Sequence, residues 1–465
     1  MNSPETIHLS SEDIPVYHHG KHFDVLVVGG GSSGVPAAIA AARRGKKTLI
    51  VEQLAFLGGT ATAALVTPLM HNCIPGNPSS SSINMEINER VEKAGGGGKD
   101  ENGNAGWFDP LILSFVLEEM ALEAGVEIMY NTFFSDVIVE DNTINGIVVQ
   151  NKGGRMAVMA SRVIDATGDA DVAWKAGAPF ESGRPETGIN QPTSLRFEMG
   201  GVDMRRFIDF IKSLGQQREL DIPYFHTAMV WGKNWPLEPI FRMAVENKDL
   251  EERDGEYFQA FGIPGKADTL AFNCPEIPPE KDITRPDYQN MALARGRKDI
   301  LRLANFMKKY FRGFEKAHLS RAAVMLGIRE SRRIVGEHVL TGKEILSYEK
   351  FDDAIARSNY PVDIHGALDE YENYKRPDLP EKERYFEVPF RSLVPLKVEN
   401  LLVVGRCFSS DYVGQSSPRI QPTCRAMGEA SGIAAALSID EDATVRRVDG
   451  ARVRSEMKKN PGVNL

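Results

Sequence analysis

Cysteine is scarce in this chain: Cys73, Cys274, Cys407 and Cys424 are the only 4 among 465 residues. They are scattered and form no CxxC pair, which excludes a redox-active vicinal disulfide and an iron–sulfur ligand set carried here. The pattern fits a reducing compartment. Long apolar runs are missing too, and without about eighteen consecutive apolar residues no membrane-spanning helix is expected. The first 22 residues hold no basic segment followed by an apolar one, so they do not read as a signal peptide, and cytoplasm is the default expectation. Basic character is equally short: net charge is -9. The densest cationic stretches, Arg295–Lys298 and Arg446–Arg447, are brief, flanked by acids, and read as solvated faces. No nucleic-acid partner is expected. His18, His19 and His22 cluster near the start, but with no carboxylate or cysteine pattern beside them they read as part of a polar tail. No metal is expected.

Hydrophobic residues make up 42% and charged residues 26%, an ordinary balance for a globular chain long enough for several domains. Phe23–Val28 is an apolar strand that runs into glycines. An Ala-rich helix follows over Val35–Arg44, then a second strand, Lys47–Val51, which ends at Glu52. This is a βαβ unit. The stretch 72–106 is rich in Gly, Ser, Pro and Asn and reads as mobile loop around a helix near Ile83–Lys93. Asp109 starts a helix that runs to Ala124, with Pro110 in its first turn. Strands are expected at Val126–Tyr130, Phe133–Val139, Ile144–Gln150, Met156–Val158 and Arg162–Gly168. From Ala176 to Pro395 the pattern loses regularity. A strand returns at Asn400–Gly405, then a small-residue helix at Thr423–Leu437 and a last helix from Asp449.

Gly29, Gly31 and Gly34 fit G-x-G-x-x-G, with Ser32 and Ser33 between the last two. In that motif the first glycine permits the tight turn, the second lets backbone approach a pyrophosphate, and the third lets helix pack on strand. The following helix N-terminus offers free N–H groups to the diphosphate. Alone the motif is weak. Here a strand precedes it, a helix follows, and Glu52 closes the next strand where a carboxylate can accept hydrogen bonds from ribose hydroxyls.

After Glu52 and Gln53 come Gly58, Gly59, Thr60, Ala61 and Thr62. With that glycine pair the chain resembles the FAD-dependent oxidoreductases of the glutathione-reductase structural class, and more closely the bacterial family related to fumarate reductase and succinate dehydrogenase flavoproteins. The resemblance runs from Phe23 onward. It implies that residues 52–62 pass beside the FAD diphosphate and flavin, that Phe134 marks the backbone pairing with adenine, and that Thr167, Gly168 and Asp169 touch the adenine half. It also implies a C-terminal flavin motif from Gly405 and Arg406 to Thr423. The helix there aims its amides at the flavin, favouring anionic reduced flavin. Gly428 and Gly432, at helical spacing, let that helix pack closely. Where fumarate reductase relatives can carry a flavin-linking His, this chain has Gly58, Gly59 and Thr60, so FAD is expected to be non-covalent.

The expected fold is α/β: a discontinuous Rossmann-type FAD domain, residues 1–175 plus 396–465, with an inserted α+β substrate domain, 176–395. The expected activity is hydride transfer between a small organic substrate and flavin N5, with an unidentified electron acceptor or donor. Arg419, just before the flavin helix, is the first catalytic candidate, since its guanidinium could bind a carboxylate substrate or the flavin C2 carbonyl. His71 is the second, as a proton carrier over the ring or an ordinary loop histidine. Arg196 lies on an alternating strand, Thr193–Glu198, and could face the site. Arg329 and Arg332 are expected to share one helix face in structural ion pairs. His226, His318, His338 and His365 read singly as packing or surface residues. The rival readings are a flavin subunit of an electron-transfer complex, a non-catalytic FAD binder, and an NAD-only dehydrogenase.

Overall fold

Apolar residues without alternation make strands that are buried on both faces, the mark of a covered parallel sheet. In the computed structural model, which describes residues 15–17, 21–70, 79–99, 105–216, 225–365 and 375–465, Phe23, Val25, Leu26 and Val27 are all fully buried in such a strand, His22–Val28. Five strands run parallel in the order Glu127–Met129, Thr48–Val51, His22–Val28, Gly154–Asp165, Leu401–Val403. The meander Phe133–Glu140 and Thr143–Asn151 joins antiparallel to the first half of Gly154–Asp165. That strand is 12 residues long and uninterrupted. The sequence reading placed two strands there; the partner changes midway, from Thr143–Asn151 to Leu401–Val403, while the chain continues straight.

Helix Gly34–Ala42 crosses between this sheet and the long helix Gln421–Asp440. A Cβ at Gly428 would collide with the Ser33 carbonyl, and one at Gly432 with the Ala37 carbonyl, so these two glycines set the close approach. The long helix starts two residues before Thr423, because Pro422 sits comfortably in its first turn.

The second region is built on a different chemistry. Its antiparallel sheet runs His226–Met229, Phe258–Ile263, Lys266–Phe272, Phe197–Gly200, His318–Ala322. Helices Met204–Ser213, Glu238–Glu246 and Pro286–Tyr310 pack into one core with it. Phe207, Phe225, Phe241, Phe258, Phe306, Phe311 and Phe314 fill that core. The fold is therefore mixed α/β, a parallel Rossmann-type sheet plus an antiparallel-sheet domain. Leu340 to Val394 contribute Ile345, Ile355, Phe386 and Phe390 to the core of the parallel-sheet region, not to the phenylalanine core.

One expected element is absent. Gly327–Ile334 is not helical: it runs extended into the strand Arg332–Ile334, which pairs with Phe180–Ser182. The cause is buried Glu330, whose carboxylate accepts from Gly183 N at 2.9 Å and Asn190 Nδ2 at 2.8 Å, and which also pairs with Arg333. Gly183 and Asn190 lie on another segment, so those two bonds hold the chain extended. Arg329 and Arg332 consequently share no helix face.

Candidate active site

The three motif glycines exist for different reasons. Gly29 has φ +99°, and a Cβ there would stand 2.5 Å from the Ala166 carbonyl oxygen. At Gly34 a Cβ would run into the Gly29 carbonyl. Both are demanded by the chain's own packing. At Gly31 a Cβ would meet only the Gly59 Cα, at 3.8 Å. Protein sterics do not require glycine there; an open cradle in front of the loop does. Gly58 N donates to Gly30 O at 2.7 Å, which ties the second glycine loop across the first, and Thr62 Oγ1 pins that loop by donating to Leu57 O at 2.8 Å.

Glu52 is almost wholly buried, and its carboxylate accepts from Gly30 N at 2.7 Å and Leu54 N at 2.8 Å. Burial pushes its pKa up, against the pull of those backbone donors. Asp165, fully buried at the end of its strand, accepts from Thr167 N, Thr167 Oγ1 and Ala173 N, and so shapes the turn through Thr167 to Asp169. Asp169 receives Arg406 Nη2 at 2.6 Å and Ser331 Oγ at 2.5 Å. Burial alone would raise its pKa, but Arg406, Ser331 and Arg332 together hold it below the ordinary carboxylate range. Arg332 also binds the Asp169 carbonyl and Asp171, and stacks over Trp174 at 4.7 Å.

These elements line one cavity of about 680 Å³, within the size range of cofactor sites. Its wall carries Gly29, Gly31, Ser32, Ser33, Glu52, Gln53, Gly59, Thr60, Phe134, Thr167, Gly168, Asp169, Gly405, Arg406 and Arg419. Gly34, Gly58, Ala61, Thr62 and Thr423 stand behind that wall and shape it. His71 lies outside the described residues. Ser32 Oγ, Arg406 Nε and Thr423 Oγ1 are buried without a hydrogen-bond partner. Helix Gln421–Asp440 has no side-chain cap at its N-terminus, and Ile420, Gln421 and Cys424 bring that end to the cavity. An elongated phosphate-bearing dinucleotide with a ring at the helix end fits this donor set.

The far end of the cavity is walled by the antiparallel-sheet region. Arg196, between the strands Thr193–Ser194 and Phe197–Gly200, reaches it, with Tyr257, Arg329, Tyr360, Asp363 and His365. Arg329 pairs with Glu276 at 2.8 Å and donates to Pro192 O at 2.7 Å. Arg419, the first catalytic candidate, donates to Asp363 Oδ2 at 2.9 Å and to the Asp363 carbonyl at 3.0 Å. Its charge is thus already engaged by the protein. His365 Nδ1 lies 2.7 Å from Glu276, and its ring meets Tyr257 edge-on at 4.7 Å. Among the described residues no group of three or more His, Cys, Asp and Glu could hold a metal ion, and no helix is long and apolar enough to cross a membrane.

Sequence reasoning missed Tyr257, Glu276, Tyr360 and Asp363, and set His365 aside. The available signal was the short run Tyr360–His365, which concentrates a phenol, a carboxylate and an imidazole outside any periodic element, where functional groups gather.

Comparison with known proteins agrees with the cavity. The family model described as FAD dependent oxidoreductase matches residues 24–457. Thiamine thiazole synthases are similar over a shorter stretch. The one from Sulfolobus acidocaldarius is 32% identical over 181 residues, 36% of this chain and 63% of that protein. The one from Methanococcus aeolicus is 32% identical over 162 residues, 32% of this chain and 57% of that protein. The chain thus spans about three fifths of the length of these curated relatives. Among solved structures, p-nitrophenol 4-monooxygenase from Pseudomonas putida aligns with TM-score 0.50 at 12% identity, over 95% of this chain and 87% of that one. The myxobacterial chondrochloren halogenase aligns with TM-score 0.48 at 13% identity, over 95% and 79%. At 12% identity the likeness to the monooxygenase is one of fold alone. The family match covers nearly the whole chain and carries its cofactor with it: this protein belongs to the FAD-dependent oxidoreductase family.

Proposed function

We propose that the protein transfers a hydride between a carbon of a small organic substrate and N5 of a non-covalently held FAD, with a carboxylate as the substrate's binding handle. The observation that carries this reading is one cavity joining the Gly29–Gly34 loop to Arg196 and Tyr257 of the antiparallel-sheet region and to His365. A mere nucleotide binder has no use for that second wall. FAD, when bound, supplies the two-electron chemistry. The chain supplies the rest. Gly31, Ser32, Ser33, Gly59, Thr60, Glu52, Gln53, Phe134, Thr167, Gly168 and Asp169 hold the dinucleotide; Gly405, Arg406 and the helix behind Thr423 hold its ring end. Arg419, fixed to Asp363, adds positive charge near the start of that helix. His71 stays a candidate proton carrier. Buried thiols at Cys274, Cys407 and Cys424 accord with a cytoplasmic setting.

The test is anaerobic mixing of the FAD-loaded protein with a library of small metabolites while flavin absorbance is followed. Bleaching by an organic compound is the expected result. If the flavin accepts electrons only from a protein partner, the dehydrogenase reading fails and an electron-transfer subunit replaces it. Release of FMN, or flavin retained on the denatured chain, would overturn the cofactor assignment.

A further inference from the structure

Three guanidinium groups converge on the junction end of the cavity, and two of them are satisfied inside the chain. Arg329 has Glu276, and Arg419 has Asp363. Arg196 is 7% exposed and lines the cavity, and while its carbonyl accepts from Ala323 N at 2.9 Å, its guanidinium has no ion-pair or hydrogen-bond partner among the described residues. The groups that face it are Tyr257, Arg329, Arg419 and the buried thiol of Cys274. Burial, with two cations nearby, lowers its pKa to about 10, so it still carries its proton at neutral pH. A buried cation without a counter-ion is unfavourable unless something arrives to pair with it. One uncompensated charge in a planar fork matches one carboxylate.

His365 stands on the same wall with a different unused atom. Its Nδ1 lies 2.7 Å from Glu276 Oε1, and the neutral ring with its proton on that side has a free lone pair on Nε2. Nε2 is 3.6 Å from Asp363 Oδ1, too far for a hydrogen bond but near enough to steady an imidazolium. The edge of Tyr257 fixes the ring, and Tyr257 is itself anchored by Asn273 Nδ2 at 3.0 Å. Burial and the neighbouring Arg329 depress the His365 pKa against the pull of Glu276 and Asp363, so the ring is neutral and able to accept a proton.

We propose that the substrate is a hydroxy carboxylate, with Arg196 binding the carboxylate and His365 Nε2 removing the hydroxyl proton. This rests on the hydride-transfer reading above. The hydroxyl O–H breaks and its proton goes to Nε2. The carbon's C–H breaks and leaves with its electron pair as hydride to oxidised flavin. The C–O bond becomes C=O, so the substrate is oxidised by two electrons to an oxo acid while the flavin is reduced by two. Arg196 and His365 are the catalytic residues in this scheme, and Glu276 is a positioning residue acting through His365.

The experiment uses FAD-loaded protein and two probe sets: short α- and β-hydroxy acids with their amides, and the matching deoxy acids, which bind without reacting. Hydroxy acids are expected to bleach the flavin, and the uncharged amides to do so far more slowly. By calorimetry, Arg196→Met should weaken deoxy-acid binding at least about tenfold, with Arg196→Lys intermediate. Without ligand, the Arg196→Met protein should melt no lower than wild type, because it no longer buries an unpaired charge. His365→Gln should leave deoxy-acid affinity nearly intact and slow bleaching by at least about a hundredfold. In wild type the rate should fall as acid protonates His365; in Glu276→Gln that acid limb should move, while deoxy-acid affinity stays. Bleaching by alcohols or amines that lack a carboxylate, with no response to hydroxy acids, overturns this proposal and leaves hydride transfer standing. No bleaching by any organic compound sinks the underlying reading as well. If Arg196→Met melts lower, or loses FAD while deoxy acids still bind, Arg196 serves the fold or the flavin, and the assignment is wrong.

Discussion

At the glycine-loop end of the cavity Arg406 is bonded to Asp169, and at the junction end the Arg196 guanidinium has no partner among the described residues. The same division separates Gly34, which a neighbouring carbonyl requires, from Gly31, where a Cβ would make only an ordinary contact with Gly59. In each pair one residue answers to the fold and the other to something the fold is meant to hold. Burial cannot tell them apart. What distinguishes them is whether their chemistry is already satisfied by the chain.

The most severe way to probe that division is at the glycines. Gly34→Val should abolish folded protein, because even its Cβ has nowhere to go. Gly31→Val should give a folded chain that retains no FAD. Circular dichroism and flavin content after purification check both, and a folded Gly31→Val protein with stoichiometric FAD would show the nucleotide is misplaced.

Next in size is Arg406→Met. It leaves the half-buried Asp169 carboxylate beside Ser331 and Arg332 without its main counter-ion, and should cost about 1 to 2 kcal/mol in urea unfolding. The effect is pH-dependent with a definite sign. Asp169 has a folded pKa below its unfolded value, so the pair's contribution is fully present above about pH 4 and fades as pH falls through the lower folded value. The gap between wild type and Arg406→Met should therefore narrow on acidification below that point. A gap independent of pH would mean that Arg406 acts through packing alone.

The smallest of these effects is expected at Arg419. Since Asp363 already holds it, Arg419→Met should weaken carboxylate binding by only about threefold to tenfold, less than Arg196→Met, with flavin content unchanged. Arg419→Lys keeps the charge but loses the planar fork, and should fall between. If Arg419→Met has the larger effect on binding, the roles of the two arginines are reversed.

The βαβ fold that carries the glycine loop was legible in the sequence because its rules are local. Gly34 answers to the Gly29 carbonyl within one turn, the positive φ of Gly29 belongs to that same turn, and Glu52 is reached by one βαβ step. The C-terminal helix was found from its small residues, although its start was read at Thr423 rather than Gln421. The junction was not legible, because its partners come from distant, irregular segments. Arg329 finds Glu276, Arg419 finds Asp363, and His365 sits between those two carboxylates. No spacing rule joins such positions. The helix expected over Arg329 and Arg332 failed for a related reason: a buried carboxylate, Glu330, bonded to residues far along the chain, outweighed local propensity.

The change of partner along Gly154–Asp165 has a consequence for how the chain reaches this state. Its second half is flanked on one side by His22–Val28, made early, and on the other by Leu401–Val403, made late. Everything that forms the phenylalanine core is synthesised between them. Until the last strand arrives, Val163, Ile164 and Asp165 present an unpaired backbone edge, and the helix that packs on Gly34–Ala42 does not yet exist. Closing so long a loop is entropically slow, and an open edge invites other chains. The nascent protein thus passes through a stage in which its second domain can be complete while its nucleotide fold is still unfinished.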